Sequence, residues 1–229
     1  MRYDVILWDV DDTLLDFPYS QRISLEKAAQ GIGVSVTEEM HSRYTAINDS
    51  WWKRLEKGEV TKAQLLSGRF EEWFAQCGIV CEDVDAFRED YERGLGQVFR
   101  YRDDSLAVCK ALQGKCRQFA VTNGVTASQL SKLKLSGFFD IMENIFISEQ
   151  IGAPKPQRLF FDRVLETMPA VPKNRILIVG DSLSSDMRGG NNAGIVTCSY
   201  NPTEHIKTTE IETNFIIRHL KEVIAIAEG

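Results

Sequence analysis

The chain has 229 residues, 43% of them hydrophobic, with 27 basic against 33 acidic side chains and a net charge of −6. That length holds one substantial core plus an inserted subdomain, and the acidic balance excludes a nucleic-acid polymer as the expected ligand while allowing a small phosphorylated metabolite. No apolar run approaches the roughly 20 residues that cross a bilayer, and five cysteines, Cys77, Cys81, Cys109, Cys116 and Cys198, are odd in number without paired zinc spacing.

Met1-Arg2-Tyr3-Asp4 runs directly into a strand without a secretory leader, so the expectation is a cytoplasmic protein with reduced thiols and no membrane partner. The first strand, 4–8, ends in Asp9-Val10-Asp11-Asp12-Thr13. Alternation along a strand puts Asp9 and Asp11 on one face and Val10 on the other. Two such charges about 4 Å apart repel by roughly 4 kcal/mol at an effective dielectric near 20, which calls for a cation, and a hard divalent ion suits carboxylate donors. The alternative is a strand-to-helix turn in which Asp or Thr only caps the next helix.

Asp9 and Thr122 lie about 113 positions apart, far more than one βαβ unit of about 30 residues spans. Apolar residues recur at helical spacing over 20–30, 37–56, 61–76 and 82–98. Thr37-Glu38-Glu39-Met40 and Thr61-Lys62-Ala63-Gln64 mark helix starts, the second fitting a capping box, and Gly58 and Gly78 mark stops. Residues 16–101 therefore form a four-helix cap inserted between residues 1–15 and 102–229. Its aromatic residues, Trp51, Trp52, Phe70, Trp73 and Phe74, mostly serve a core. Trp51 and Trp52 are consecutive and cannot share a helix face, which leaves one available as a platform for a nucleobase.

Beyond the insertion the pattern alternates. Strands at 117–122, 144–147, 176–179, 196–199 and 215–217 and helices at 105–113, 127–135, 158–167, 185–193 and 220–227 describe an α/β fold, a doubly wound, mostly parallel Rossmann-like sheet. Thr122-Asn123-Gly124 ends the second strand as a phosphate-sized cradle. Lys155 is held between Pro154 and Pro156. Asp181 follows an apolar strand and Gly180, with Asp186 five residues on. In open α/β sheets ligands bind beyond the carboxyl ends of the strands, where these segments converge. Lys53, Lys57 and Lys62 read as solvated surface groups, as do His41, His205 and His219.

This order of motifs resembles the haloacid dehalogenase superfamily: Asp9-Val10-Asp11-Asp12-Thr13, then Thr122, Lys155, and Gly180-Asp181 with Asp186. The resemblance implies a phosphomonoesterase in which Asp9 is the nucleophile and Asp11 the acid and base. Thr122, Asn123, Gly124 and Lys155 would bind the transferring phosphate. Mg2+ would be held by Asp9, the main-chain carbonyl of Asp11 and Asp181, with Asp186 behind them. Asp12 departs from the glycine of many members. Together with the stretch from Trp52 to Trp73, containing Gly58, Val60-Thr61, Gln64-Leu65 and Gly68-Arg69-Phe70-Glu71, it is similar to the bacterial pyrimidine 5′-nucleotidases. That second resemblance implies a nucleoside monophosphate substrate, with Trp51, Trp52 and Arg69 contacting it. The alternatives are a phosphatase or mutase for a sugar phosphate or phosphoglycolate, and a non-enzymatic phospho-receiver, which has no room for the cap.

Overall fold

In the computed structural model the described residues are 1–203 and 211–229, which leaves His205 outside them. Strands Val5–Trp8 (β1), Arg117–Thr122 (β2), Asn144–Ile147 (β3), Ile176–Gly180 (β4), Val196–Tyr200 (β5) and Phe215–Ile217 (β6) form a six-stranded, all-parallel sheet in the order β3-β2-β1-β4-β5-β6. The two central neighbours of β1 are β2 and β4, with Trp8 opposite Ala120 and Val179. The strand order reverses direction at β1, so the carboxyl ends of β1, β2 and β4 meet at the switch point.

β1 is apolar at every position because both faces of the sheet are covered. Ile6 and Trp8 pack on one side with Leu133, Phe138 and Leu177, while Val5 and Leu7 pack on the other with Phe119, Phe160 and Ile178. Burying each such side chain contributes roughly 1.5–3 kcal/mol.

The chain divides into two compact units, one of residues Met1–Phe17 and Phe99–Gly229, the other Pro18–Val98. The expected boundaries at 15/16 and 101/102 lie two and three positions from these, because backbone bonds from Asp16 N to Arg100 O and from Arg102 N to Leu14 O tie both crossings into the first unit. The second unit holds helices Phe17–Gly31 (α1, entered from the first unit), Glu38–Glu56 (α2), Lys62–Cys77 (α3) and Val84–Gln97 (α4). Thr37 caps α2, Thr61 and Gln64 form a reciprocal capping box on α3, and Gly78 ends α3 in the left-handed region at φ 66°, a conformation that glycine adopts without a Cβ penalty. The interior of this unit is aromatic: Tyr44 stacks on Phe70, and Trp73, Phe87 and Tyr91 pack edgewise around them. His41, expected at the surface, is buried here and bonds Glu26 at 2.9 Å.

The first unit adds Ser105–Leu112 (α5), Thr126–Leu135 (α6), the single turn Ser148–Ile151 (α7), Arg158–Glu166 (α8), Arg188–Ala193 (α9) and Glu222–Glu228 (α10). The helix expected over 185–193 begins instead with a π-helical turn, Leu183–Met187. Such turns widen the backbone ring to place a side chain that an α-turn would misdirect, and the residue inside it is Asp186. No helix among the described residues is long and apolar enough to cross a membrane.

Candidate active site

Asp9 follows the last residue of β1 and is anchored by its N–H to Val179 O at 2.9 Å. The chain then leaves the sheet. Leu14 and Leu15 N–H both return to Val10 O, Asp12 N–H donates to Leu15 O at 2.7 Å, and Asp12 takes φ 62°. That left-handed conformation is the reason glycine suits position 12. Aspartate holds it here with its carboxylate accepting from Phe17 N–H at 3.2 Å and from Arg102 at 2.6 Å. Burial raises the Asp12 pKa to about 6 against the opposing pull of Arg102.

Three carboxylates converge. One ligand oxygen from each of Asp9, Asp181 and Asp186 lies within 4.8 Å of the others. Asp181 follows β4 directly, and its N–H donates to Thr13 Oγ1 at 3.1 Å, while the Thr13 hydroxyl donates to Asp9 Oδ2 at 3.0 Å. Asp186 is 1% exposed and accepts from Ser182 N–H at 3.3 Å. It reaches the cluster because residue 180 is glycine. A Cβ on Gly180 would stand 2.3 Å from Asp186 Oδ2.

Lys155 enters this cluster as its fixed cation. Its ammonium is 1% exposed and donates to Asp9 Oδ1 at 2.6 Å, Asp186 Oδ1 at 2.6 Å and Val121 O at 3.0 Å, which uses all three protons. Burial pulls its pKa down, but the charges of Asp186 and Asp9 outweigh that and the net shift is upward. One ammonium does not neutralise three carboxylates. Burial, then the Asp186 charge, raise the Asp9 pKa to about 7 in spite of Lys155. Asp181 is pushed well above the ordinary carboxyl range, first by burial and then by Asp9 and Asp186. Three oxygen donors carrying an uncompensated negative charge fit a hard divalent cation.

Asn123 fixes the lysine from behind. Its side chain accepts from Lys155 N–H at 2.8 Å and donates to Lys155 O at 2.9 Å, so its amide braces the lysine loop. Thr122 is 1% exposed, and its hydroxyl accepts from Gly124 N–H at 3.1 Å. The structure thus gathers Asp9, Thr122, Asn123, Gly124, Lys155, Asp181 and Asp186 beyond the ends of β1, β2 and β4.

Asp11 differs from the strand-based expectation. Because β1 stops at Trp8, the alternation that would place Asp11 beside Asp9 does not continue. The Asp11 carboxylate is outside the converging trio and instead pairs with Lys132, while Gln129 Nε2 donates to its Oδ2 at 2.7 Å. Its side chain is therefore no metal ligand here, and only its main-chain carbonyl remains for that part. Gln129, Lys132 and the bridging hydroxyl of Thr13 were not identified from the sequence. The i, i+3 spacing of Gln129 and Lys132 on one face of α6 was the available signal.

The three expected substrate contacts of the second unit are placed unequally. Arg69 is 1% exposed, donates to Asn48 Oδ1 at 2.9 Å and Glu92 Oε1 at 2.5 Å, and lies over the rings of Phe70 and Tyr91. It is a buried ion pair of the helical core, which corrects its assignment to the substrate. Trp52 Nε1 donates to Asn48 at 3.2 Å, with Lys62 over its ring. Trp51, half-buried, donates to Glu72 at 2.8 Å and lines a cavity of about 280 Å³ with Arg54, Val60, Gln64 and Ser67.

A family model for haloacid dehalogenase-like hydrolases matches residues 3–194. The chain belongs to the haloacid dehalogenase-like hydrolases. Among relatives in this family, the HAD-hydrolase YfnB of Bacillus subtilis is 32% identical over 97% of this chain and 94% of its own. Its crystal structure, bound to magnesium and revealing interdomain movement, superposes with a TM-score of 0.94 over the whole of both chains. The pyrimidine 5′-nucleotidases PynA of Streptococcus pneumoniae and YjjG of Escherichia coli are 31% and 29% identical, covering 98% and 97% of this chain and 94% and 97% of theirs. Membership of a hydrolase family sets aside the non-enzymatic receiver, and relatives of this kind support a phosphatase acting on a small phosphorylated substrate.

Proposed function

We propose that the protein is a cytoplasmic, Mg2+-dependent phosphomonoesterase that releases phosphate from pyrimidine nucleoside and deoxynucleoside 5′-monophosphates. The observation that carries the reading is the set of Asp9 contacts: a carboxylate at the end of β1, held by Lys155 on one oxygen and Thr13 on the other, beside Asp181.

Asp9 forms a bond to phosphorus as the ester P–O bond breaks. The departing alcohol oxygen keeps the bonding electrons and takes a proton from Asp11. Water then attacks the aspartyl phosphate, giving its proton to Asp11, and the Asp9–phosphorus bond breaks to release phosphate. Asp9, Asp181 and the Asp11 carbonyl would hold Mg2+, which would supply positive charge to keep Asp9 ionised and to offset the phosphate oxygens. Asp186 acts through Lys155, fixing its ammonium. Thr122 and the N–H groups beyond it bind the equatorial oxygens.

The nucleotidase relatives support the choice of a pyrimidine base. Within the helical unit Trp51 is the candidate for a base contact, since its indole borders a cavity of about 280 Å³, and a base would have to displace the Arg54 guanidinium that lies 4.1 Å from the ring centroid. Steady-state phosphate release from pyrimidine, purine and deoxynucleoside monophosphates, sugar phosphates and phosphoglycolate, with Asp9→Asn as the blank, tests the proposal. Preference for pyrimidine monophosphates in Mg2+, lost in EDTA, is the expected result. A preferred sugar phosphate or phosphoglycolate would overturn the substrate, and wild-type turnover by Asp9→Asn would overturn the mechanism.

A further inference from the structure

Lys132 is a lysine with almost no access to water, 2% exposed, on the face of α6 that also carries Gln129, likewise 2% exposed. A buried ammonium is tolerated only against a counter-charge, and the one Lys132 meets is Asp11 Oδ1. Gln129 Nε2 holds the other oxygen at 2.7 Å, while its own buried Oε1 has no hydrogen-bond partner among the described residues. The amide orientation is thus set by Asp11. The reverse orientation would press a carbonyl oxygen against a carboxylate. The amide has room to reach Asp11 because residue 124 is glycine: a Cβ there would lie 1.9 Å from Gln129 Nε2 and 2.6 Å from its Cδ. Gly124, Gln129 and Lys132 form one arrangement built around a single carboxylate.

We propose that Lys132 and Gln129 are positioning residues for proton transfer by Asp11. They hold both of its oxygens, keep it off the Asp9, Asp181 and Asp186 cluster, and stabilise the carboxylate left when Asp11 has given its proton to the departing alcohol. The inference rests on Asp11 as the acid in the mechanism above. Its consequence depends on the leaving group. A nucleoside alkoxide needs that proton to depart, whereas p-nitrophenolate leaves without it.

The test is the rate of the first turnover, measured by rapid quench as release of nucleoside or of p-nitrophenol, in wild type, Lys132→Met, Lys132→Arg and Gln129→Leu. Methionine fills a similar volume, and Asp11, whose side chain is 27% exposed and keeps Gln129 as a donor, is left partly solvated. The loss of stability should therefore stay below the roughly 3–5 kcal/mol of a fully buried pair broken on one side, and the rates are compared at a temperature where thermal unfolding shows each variant folded. For Lys132→Met the nucleoside release rate should fall about 100-fold, the size of a general-acid contribution. Its Michaelis constant should hold, and p-nitrophenol release should change less than about 3-fold. Lys132→Arg should restore most of the nucleoside rate, and Gln129→Leu should show the same pattern more weakly. Equal losses on both substrates, or no loss on either, would overturn the proposal, and Gln129→Leu decides it should Lys132→Met not fold. Asp11→Asn run alongside separates the two levels. If Asp11→Asn shows no leaving-group dependence the acid assignment fails, and if it does while Lys132→Met does not, only the positioning role fails.

Discussion

Replacing Lys155 by methionine removes the one ammonium set among Asp9, Asp181 and Asp186. At 2.6 Å each of its two ion pairs has a Coulomb attraction of about 6 kcal/mol at an effective dielectric near 20. Most of that offsets the desolvation of the charges, so the measurable quantity is the penalty of leaving the acids unpaired, about 3–5 kcal/mol. In a protein of this size that lowers the unfolding midpoint by roughly 10 °C. The loss should depend on pH. Asp9, raised to about 7 by burial and Asp186, keeps its proton in the fold where the unfolded chain has lost it. Its favourable contribution is full below the unfolded carboxyl value near 4 and disappears as pH rises through about 7. Without Lys155 the acids hold protons more tightly still. Thermal unfolding followed by circular dichroism in EDTA should therefore show a large deficit for Lys155→Met at pH 8 and a small one at pH 5. Millimolar Mg2+ should recover part of the deficit at pH 8. A deficit equal at both pH values and indifferent to Mg2+ would refute the charge argument and leave packing as the role of Lys155.

Three further outcomes follow from the same geometry. Gly180→Ala places a methyl 2.3 Å from the Asp186 carboxylate, so it should cost about 1–3 kcal/mol of stability and weaken Mg2+ binding in a calorimetric titration. Arg69→Met removes the buried cation that faces Glu92, whose side chain is only 11% exposed, and should destabilise by up to about 3–5 kcal/mol, with much of this recovered in Arg69→Met combined with Glu92→Met. A tenfold rise in Michaelis constant at unchanged stability would instead return Arg69 to the substrate. Mg2+ binding near pH 6.5 should release protons, since Asp9 and Asp181 are raised in its absence. Affinity should then increase with pH through about 7, and a binding heat independent of the buffer's ionisation enthalpy would contradict it.

The elements that the sequence made legible are those whose cause is local. β1, β2 and β4 are continuous apolar runs, and Asp9, Thr122 and Asp181 stand at or just beyond their carboxyl ends whatever the rest of the chain does. Thr61 with Gln64, and Gly78, mark the ends of α3 within a few residues of themselves. Parallel strands with helical crossovers then admit few arrangements, and the reversal of strand order at β1 brings those ends to one crevice. What the sequence left open was every choice made by a distant partner. Asp11 turns to Lys132, 121 positions away, and Lys155 reaches Asp9 across 146. Asp186 enters the site through a π-turn and the missing Cβ of Gly180, and Arg69 is drawn inward by Glu92 and Asn48. A carboxylate or guanidinium at a given position has the same local pattern whether it faces substrate or a buried counter-charge. Only the folded chain sets which opposite charge is near enough to offset its desolvation, and that balance decided the placement of Asp11, Lys132 and Arg69.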